Sequence, residues 1–469
     1  MVRRPAISTY EPRGPYGHKY GAAKGPAAAR RGETRLPRRR LVTLLLTLLV
    51  GIVLSVLATA CGGGDDDDGA GGEATPPAEE GGLSGEIDVW IMDPGNPELQ
   101  DVINTYATDF EAANPGASVN VEFVPWDGGK DRFINAIASG DVPDLAETGT
   151  TWTPEFAELG GLEPVTEQND DWLPSLVEAG TVDEQLYGVP WYAGNRALIY
   201  RSDIFEELGL EAPETWDDLE AAADQIKAEK PDMFPMIVPG DYIHMLLPMV
   251  WQAGGEIATQ SGDAWTAAVN SPEGKQAFET FARWQESYSP KETLNQNEAD
   301  ARVPFDNGKA AMFIGGPWDV TAAKTENPDL EDKLATALIP EGPGGSRDTF
   351  AGGSHLSIFA DSDNKELAAA FREFMLQPEE LTKFTDELGF FAGTESGINE
   401  SKLLEDPIME PFGIQLRDHS RVYPVTPKWG ALETDPKPST VALQSIVQGT
   451  SADEALEQLA QEIEDNLNG

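Results

Sequence analysis

Eleven tryptophans are spread along the chain, and several stand beside glycine or proline just after a stretch that reads as a strand. Trp318 in GGPWD follows AAMFIGG, Trp152 in GTTWTP follows PDLAET, Trp126 with Asp127 follows SVNVEFV, and Trp429 lies in TPKWG. A ring held at a loop end can offer its flat face to an apolar C–H surface or to a cation. Carboxylates occupy the same kind of position: Asp93 follows EIDVWIM, Glu147 closes PDLAET and Asp319 adjoins Trp318. Arg196 begins a further strand in GNRALIY. Flat faces beside planar donors and acceptors suit recognition of a ligand that is part apolar, part hydroxylated.

Bond-breaking chemistry has less support. The chain contains no GxSxG, HExxH or Walker A pattern. Ser354 and His355 are adjacent in GGSHL, and neighbours in a strand point to opposite faces, so they make no dyad. His355 reads as a satisfied structural histidine. A glycosidase needs only two carboxylates roughly 5 to 10 Å apart, which so acidic a chain leaves open. A single cysteine allows no internal disulfide, and no zinc-binding Cys/His pattern is present. No cofactor is expected.

Alternating elements must position these residues. EIDVWIM, SVNVEFV and PDLAET read as strands. Between the first two, Leu99, Val102, Ile103, Tyr106 and Phe110 form one face of a helix. Phe133, Ile134 and Ile137 mark a second helix, closed by Gly140. Thr153, as N-cap, opens a third with Pro154 at its first position. Strand, helix, strand, helix predicts a parallel α/β sheet. Further strands are expected near Arg196–Tyr200, Ala310–Gly316 and in HLSIF. Ser202 is expected to cap a short helix, and Thr215 with Asp218 a longer one carrying Leu219, Ala222, Ala223 and Ile226. From there to about Tyr288 the pattern reads as mostly helical. Later helices bury Leu367, Phe371, Phe374 and Met375, then Leu456, Leu459 and Ile463.

The net charge is −48, and the basic residues crowd the first forty positions, so the remainder is more acidic still. Such a surface repels nucleic acid and anionic lipid. At the front, Arg38, Arg39 and Arg40 precede twenty uncharged residues, Leu41–Ala60. Ala58, Thr59 and Ala60 then lead into Cys61, a pattern that resembles the lipobox of bacterial lipoprotein signals. The departure is Ala58 where that signal usually has Leu. The alternative is an uncleaved signal anchor; both put the rest of the chain outside the cytoplasm. The Gly/Asp/Pro-rich run that follows reads as a self-repelling tether.

Four blocks carry a resemblance to the extracellular solute-binding proteins of ABC importers, in the sugar-binding group similar to maltose-binding protein. They are ASGDVPDLAETGTTWTPEFAELGGLEPV, LYGVPWYAGNRALIYRSDIFEELGLEAPETWDDLEAAADQI, FDNGKAAMFIGGPWDV and GTSADEALEQLAQEI, in the family's order. The resemblance implies an α/β, two-lobed periplasmic-binding type II fold, with hinge strands and a ligand cleft between the lobes. It implies a signal over 1–60, a linker over 61–85 and a solute-binding domain over 86–469. Crossings near Val189–Ala193, Phe350–Ser354 and Thr394–Ile398 would divide that domain into 86–190 with 352–395, and 191–351 with 396–469. Trp318 matches the family's stacking tryptophan, Trp191 and Tyr192 fall at a crossing, and Trp429 falls where a second-lobe aromatic is supplied. Gly194 stands where maltose-binding protein has an acidic residue. The implied partners are a sugar or oligosaccharide, an ABC permease and, through lipid on Cys61, the outer face of the cytoplasmic membrane. The protein is expected to be a monomer without enzymatic activity. A polyamine, peptide or metal ion is the alternative ligand.

Overall fold

The computed structural model describes residues 83–93, 97–126, 128–434 and 436–469. Cys61, the signal, the Gly/Asp-rich run and Asp127 lie outside them. All described residues belong to one unit, Pro76–Gly469.

Two sheets organise this unit. The first contains β1 (Ser84–Met92), β2 (Gly116–Val124), β3 (Leu145–Gly149), β4 (Val189–Gly194), β9 (Gly352–Ile358) and β10 (Phe391–Ala392). The second contains β5 (Ala197–Arg201), β6 (Phe234–Ile237), β7 (Ala310–Gly315) and β8 (Leu334–Ala337). Their orders are β10-β4-β9-β3-β1-β2 and β8-β5-β7-β6. β1 pairs in parallel with β2 and β3, as strand–helix–strand alternation requires. β9 then runs antiparallel to both β3 and β4.

Helical periodicity accounts for the cores. Leu99, Ile103, Tyr106 and Phe110 of the helix Pro97–Ala113 pack with Ile87, Val89, Ile91, Leu367 and Phe371 under the first sheet. Leu219, Ile226, Phe278, Phe281, Leu456, Leu459 and Ile463 pack with Leu198, Met236 and Met312 under the second. Each such side chain contributes about 1.5–3 kcal/mol when fully buried.

The structure departs from the sequence expectation in three places. The stretch read as mostly helical contains β6 and a hairpin, Ala258–Ser261 with Ala264–Ala267. These strands have four residues each, too short to establish an alternation, and the hairpin turns at Gly262 with φ 61°. The helix Thr153–Glu158 starts one residue early, with Trp152 as N-cap. The Thr153 hydroxyl instead meets His355 Nδ1 at 2.9 Å and Thr148 at 2.9 Å. Likewise Ser202 begins its helix, with Arg201 at the cap.

Candidate functional site

The two sheets meet where β4 hands over to β5. Gly194, the last residue of β4, pairs with Gly352 in the first sheet, and Ala197 pairs with Gly315 in the second. Asn195 and Arg196 are all that separates them, and both are buried. Because β5 starts where β7 ends, Arg196 comes beside Trp318, which opens the helix Pro317–Glu326 after β7. The guanidinium carbon lies 5.0 Å from the Trp318 ring centre and 5.6 Å from that of Tyr242. Arg196 Nε donates to Tyr242 Oη at 2.8 Å, and Tyr242 donates to Glu298 Oε1 at 2.5 Å. Burial works against the Arg196 charge, but the Tyr242 and Glu298 oxygens offset it, and its net pKa shift is upward. Burial, then repulsion from Asp319, pushes the Glu298 carboxyl well up. Asp319 accepts from the Gly316 N–H at 2.8 Å and from Arg302 at 2.6 Å, which fixes the start of the Trp318 helix.

A second aromatic group joins several segments of the chain. Tyr423 stacks on Phe350 with centroids 4.3 Å apart and on Trp429 at 4.8 Å. His244 stacks on Phe350 at 4.7 Å and also lies 5.7 Å from the Tyr423 ring, with its Nδ1 2.9 Å from Tyr423 Oη. Phe350, Tyr423 and Trp429 border a cavity with about 260 Å³ of empty volume, part of it open to solvent. Thr150 and Thr151 from the turn after β3 and Pro154 from the helix that follows line it together with Tyr423, Pro424, Thr426 and Trp429. The cavity therefore lies at the carboxyl end of a strand of the first sheet, where open α/β sheets bind ligands. Trp429 Nε1 donates to Glu433 at 2.9 Å. Burial pushes the Glu433 carboxyl upward against hydrogen bonds from Trp429 and Thr151.

The remaining candidates separate into distinct environments. Trp126 is 44% exposed and meets the half-buried Trp152 edge-on at 5.2 Å, forming a ledge after β2 and β3. Asp93 accepts from Gln100 at 3.0 Å at the end of β1. Glu147 is buried and accepts from the Met92 N–H at 2.9 Å, Tyr192 Oη at 2.5 Å and Ser354 Oγ at 2.5 Å. Burial, countered by these three bonds, pushes its carboxyl up to about 7. Trp191 is fully enclosed and stacks on Phe384 at 4.7 Å. His355 is buried between Thr153 and the Leu176 carbonyl, and burial lowers it to about 4. Thus Trp318 is brought to Arg196 and Trp126 to Trp152, while Trp429 alone of the candidate aromatics borders the cavity. Among the described residues no group of three or more His, Cys, Asp or Glu side chains could hold a metal ion.

Comparison with known proteins adds the family. The pattern of bacterial extracellular solute-binding proteins matches residues 96–381. The chain belongs to the bacterial extracellular solute-binding protein family. The diacetylchitobiose binding protein DasA of Streptomyces coelicolor is 30% identical over 395 residues, 82% of this chain and 91% of that one. The maltotriose-binding protein of Pyrococcus abyssi is 25% identical over 356 residues, 74% of this chain and 75% of that one. Among solved structures, the sugar-binding protein MalE of Xanthomonas citri superposes with a TM-score of 0.72 at 28% identity, covering 82% of this chain and 97% of that one. A solute-binding protein of Thermotoga lettingae bound with α-D-tagatose gives 0.70 at 28%, covering 82% and 100%. This solute-binding protein therefore has the two-lobed α/β periplasmic-binding fold with an interlobe cleft.

Several residues of these two aromatic groups were not singled out from the sequence as site residues. Tyr423, Phe350, His244 and Tyr242 gather from segments far apart in the chain, and only Tyr423, in VYPVTPKWG, carries a local signal through its neighbouring prolines and Trp429. No helix among the described residues is long and apolar enough to cross a membrane.

Proposed function

We propose that this protein captures a sugar or short oligosaccharide in its interlobe cleft and delivers it to the permease of an ABC importer. The observation that carries this reading is the Tyr423–Trp429 stack, which borders one cavity together with Thr150 and Thr151. A pyranose has a C–H face that lies on an aromatic ring and hydroxyls that need donors and acceptors nearby. Trp429, backed by the stacked Tyr423, supplies the apolar floor, with Trp318 and Arg196 further along the cleft and the Trp126–Trp152 ledge and Asp93 at its first-lobe rim. Relatives named for diacetylchitobiose and maltotriose support a ligand of two or three rings. Segments up to Gly194 with 352–395, and from Ala197 to 351 with 396–469, move as lobes about the crossing at Asn195–Arg196, four residues later than the boundary expected after 190, because β4 keeps Trp191–Gly194 in the first sheet. Closure follows if the ligand binds the closed form more tightly than the open one. Cys61 carries lipid that holds the chain, as a monomer, at the outer face of the membrane. The protein binds without turnover.

Thermal unfolding of the full chain with diacetylchitobiose, maltotriose and spermidine tests this. A saccharide at about 100 times its Kd should stabilise by about 2.7 kcal/mol and raise the midpoint. A rise with spermidine alone would overturn the sugar assignment, and steady product release from either saccharide would overturn the non-catalytic one.

A further inference from the structure

Trp318 is not an open platform. The Phe390 ring stacks on it with centroids 5.3 Å apart and planes 21° from parallel, an offset stack. Phe390 follows Gly389, whose φ of 74° ends the helix Pro378–Leu388, and it leads into β10 of the first sheet. Trp318 rises from the second sheet, so the contact joins the two lobes beside the crossing. Phe390 is held from behind as well: the Tyr192 ring meets it edge-on at 5.3 Å, and Tyr192 is fixed by its bond to Glu147.

Gly194 makes room for this arrangement. A Cβ there would lie 2.6 Å from Phe390 Cε1, closer than real contacts allow, and 3.0 Å from Trp318 Cζ3, a tight contact. Any side chain at position 194 would have to displace one ring or both. Glycine at the crossing and phenylalanine at position 390 are thus two halves of one device, which lays a ring of the protein's own on the Trp318 face.

We propose that Phe390 is a specificity-determining residue: it occupies the Trp318 face in place of a sugar ring and so ends the cleft at that point, limiting the length of the saccharide bound. This deepens the sugar-binding reading and rests on it. A saccharide on the Trp429 side extends toward Arg196 and stops, because the next stacking position is filled.

Calorimetric titration of the wild type, Phe390→Ala and Phe390→Ala/Trp318→Ala with two ladders, chitobiose to chitotetraose and maltose to maltotetraose, tests the proposal. Removing the ring should raise the affinity of the next longer saccharide relative to the shorter one by about tenfold, the upper range of one aromatic stacking contact. The gain should vanish in the double variant. An unchanged length preference, an equal loss at every length, or a gain that survives without Trp318 would overturn it. Acrylamide quenching of tryptophan fluorescence without ligand separates the layers of the argument. It should rise in Phe390→Ala, but not when Trp318 is also absent. If no saccharide binds any of the three proteins, the sugar reading falls and the length limit with it, while quenching still reports whether Phe390 covers the ring. Phe390→Leu, which keeps apolar volume against Tyr192 but lacks the flat face, serves if the alanine variant does not fold.

Discussion

Glu147 shows how one buried carboxyl ties several strands together. It sits on β3 and takes hydrogen bonds from the end of β1, from Tyr192 on β4 and from Ser354 on β9. Its folded pKa of about 7 lies above the ordinary 4.5 because burial disfavours the charge. The folded state therefore holds this proton more tightly than the unfolded chain. Its contribution is complete below about pH 4.5 and is lost as the pH rises through about 7, a change on the order of 3 kcal/mol. Urea midpoints at about pH 5 and about pH 8 should show this loss, and Glu147→Gln should flatten it. A Glu147→Gln variant with the same pH dependence as the wild type would contradict that assignment. At the ligand end, Trp429→Ala removes a ring that borders the cavity and packs on Tyr423. It should weaken saccharide binding at least about tenfold, or 1.4 kcal/mol, with the far-ultraviolet spectrum unchanged.

At the scale of elements, the strands around the crossing are closely fitted. Gly353 on β9 approaches β4 so closely that a Cβ would lie 2.5 Å from the Tyr192 carbonyl oxygen, and the pairing shifts register just beyond it. That neighbour is backbone and cannot swing aside. Gly353→Ala should therefore destabilise the fold by about 1–3 kcal/mol, measured by chemical denaturation, through strain rather than lost contacts. The same strands show what a sequence can and cannot convey. Helices with a full apolar face, such as the one carrying Leu219, Ala222, Ala223 and Ile226, were legible because burial repeats at a period that the residues display. Trp318 and Arg196 could be placed near strand ends for the same reason. What could not be read was which end meets which: Phe390 lies in LGFFAG with no local signal to set it apart, yet it stacks on Trp318 from the other lobe. The Tyr423–Phe350–His244 stack was hidden likewise, since its members have no common spacing and meet only when both sheets are assembled. Trp191 had the composition of a cleft residue, but strand alternation did not reveal that its ring turns toward Phe384 in the core.

For the whole molecule, a net charge of −48 could suggest a cationic ligand drawn by long-range attraction. A neutral saccharide held by ring faces and hydroxyl contacts has no such term. Its affinity should change little between about 0.01 M and about 1 M salt, a range over which the screening length falls from about 30 Å to about 3 Å. A cationic ligand would lose affinity steeply over the same range. The central claim, capture of a saccharide in the cleft beside Trp429, is tested most directly by calorimetric titration of the full chain with diacetylchitobiose and maltotriose. Expected is saturable one-to-one binding of at least one of them, weakened at least about tenfold in Trp429→Ala. Absence of binding by either saccharide, or binding that Trp429→Ala leaves unchanged in a folded protein, would contradict it.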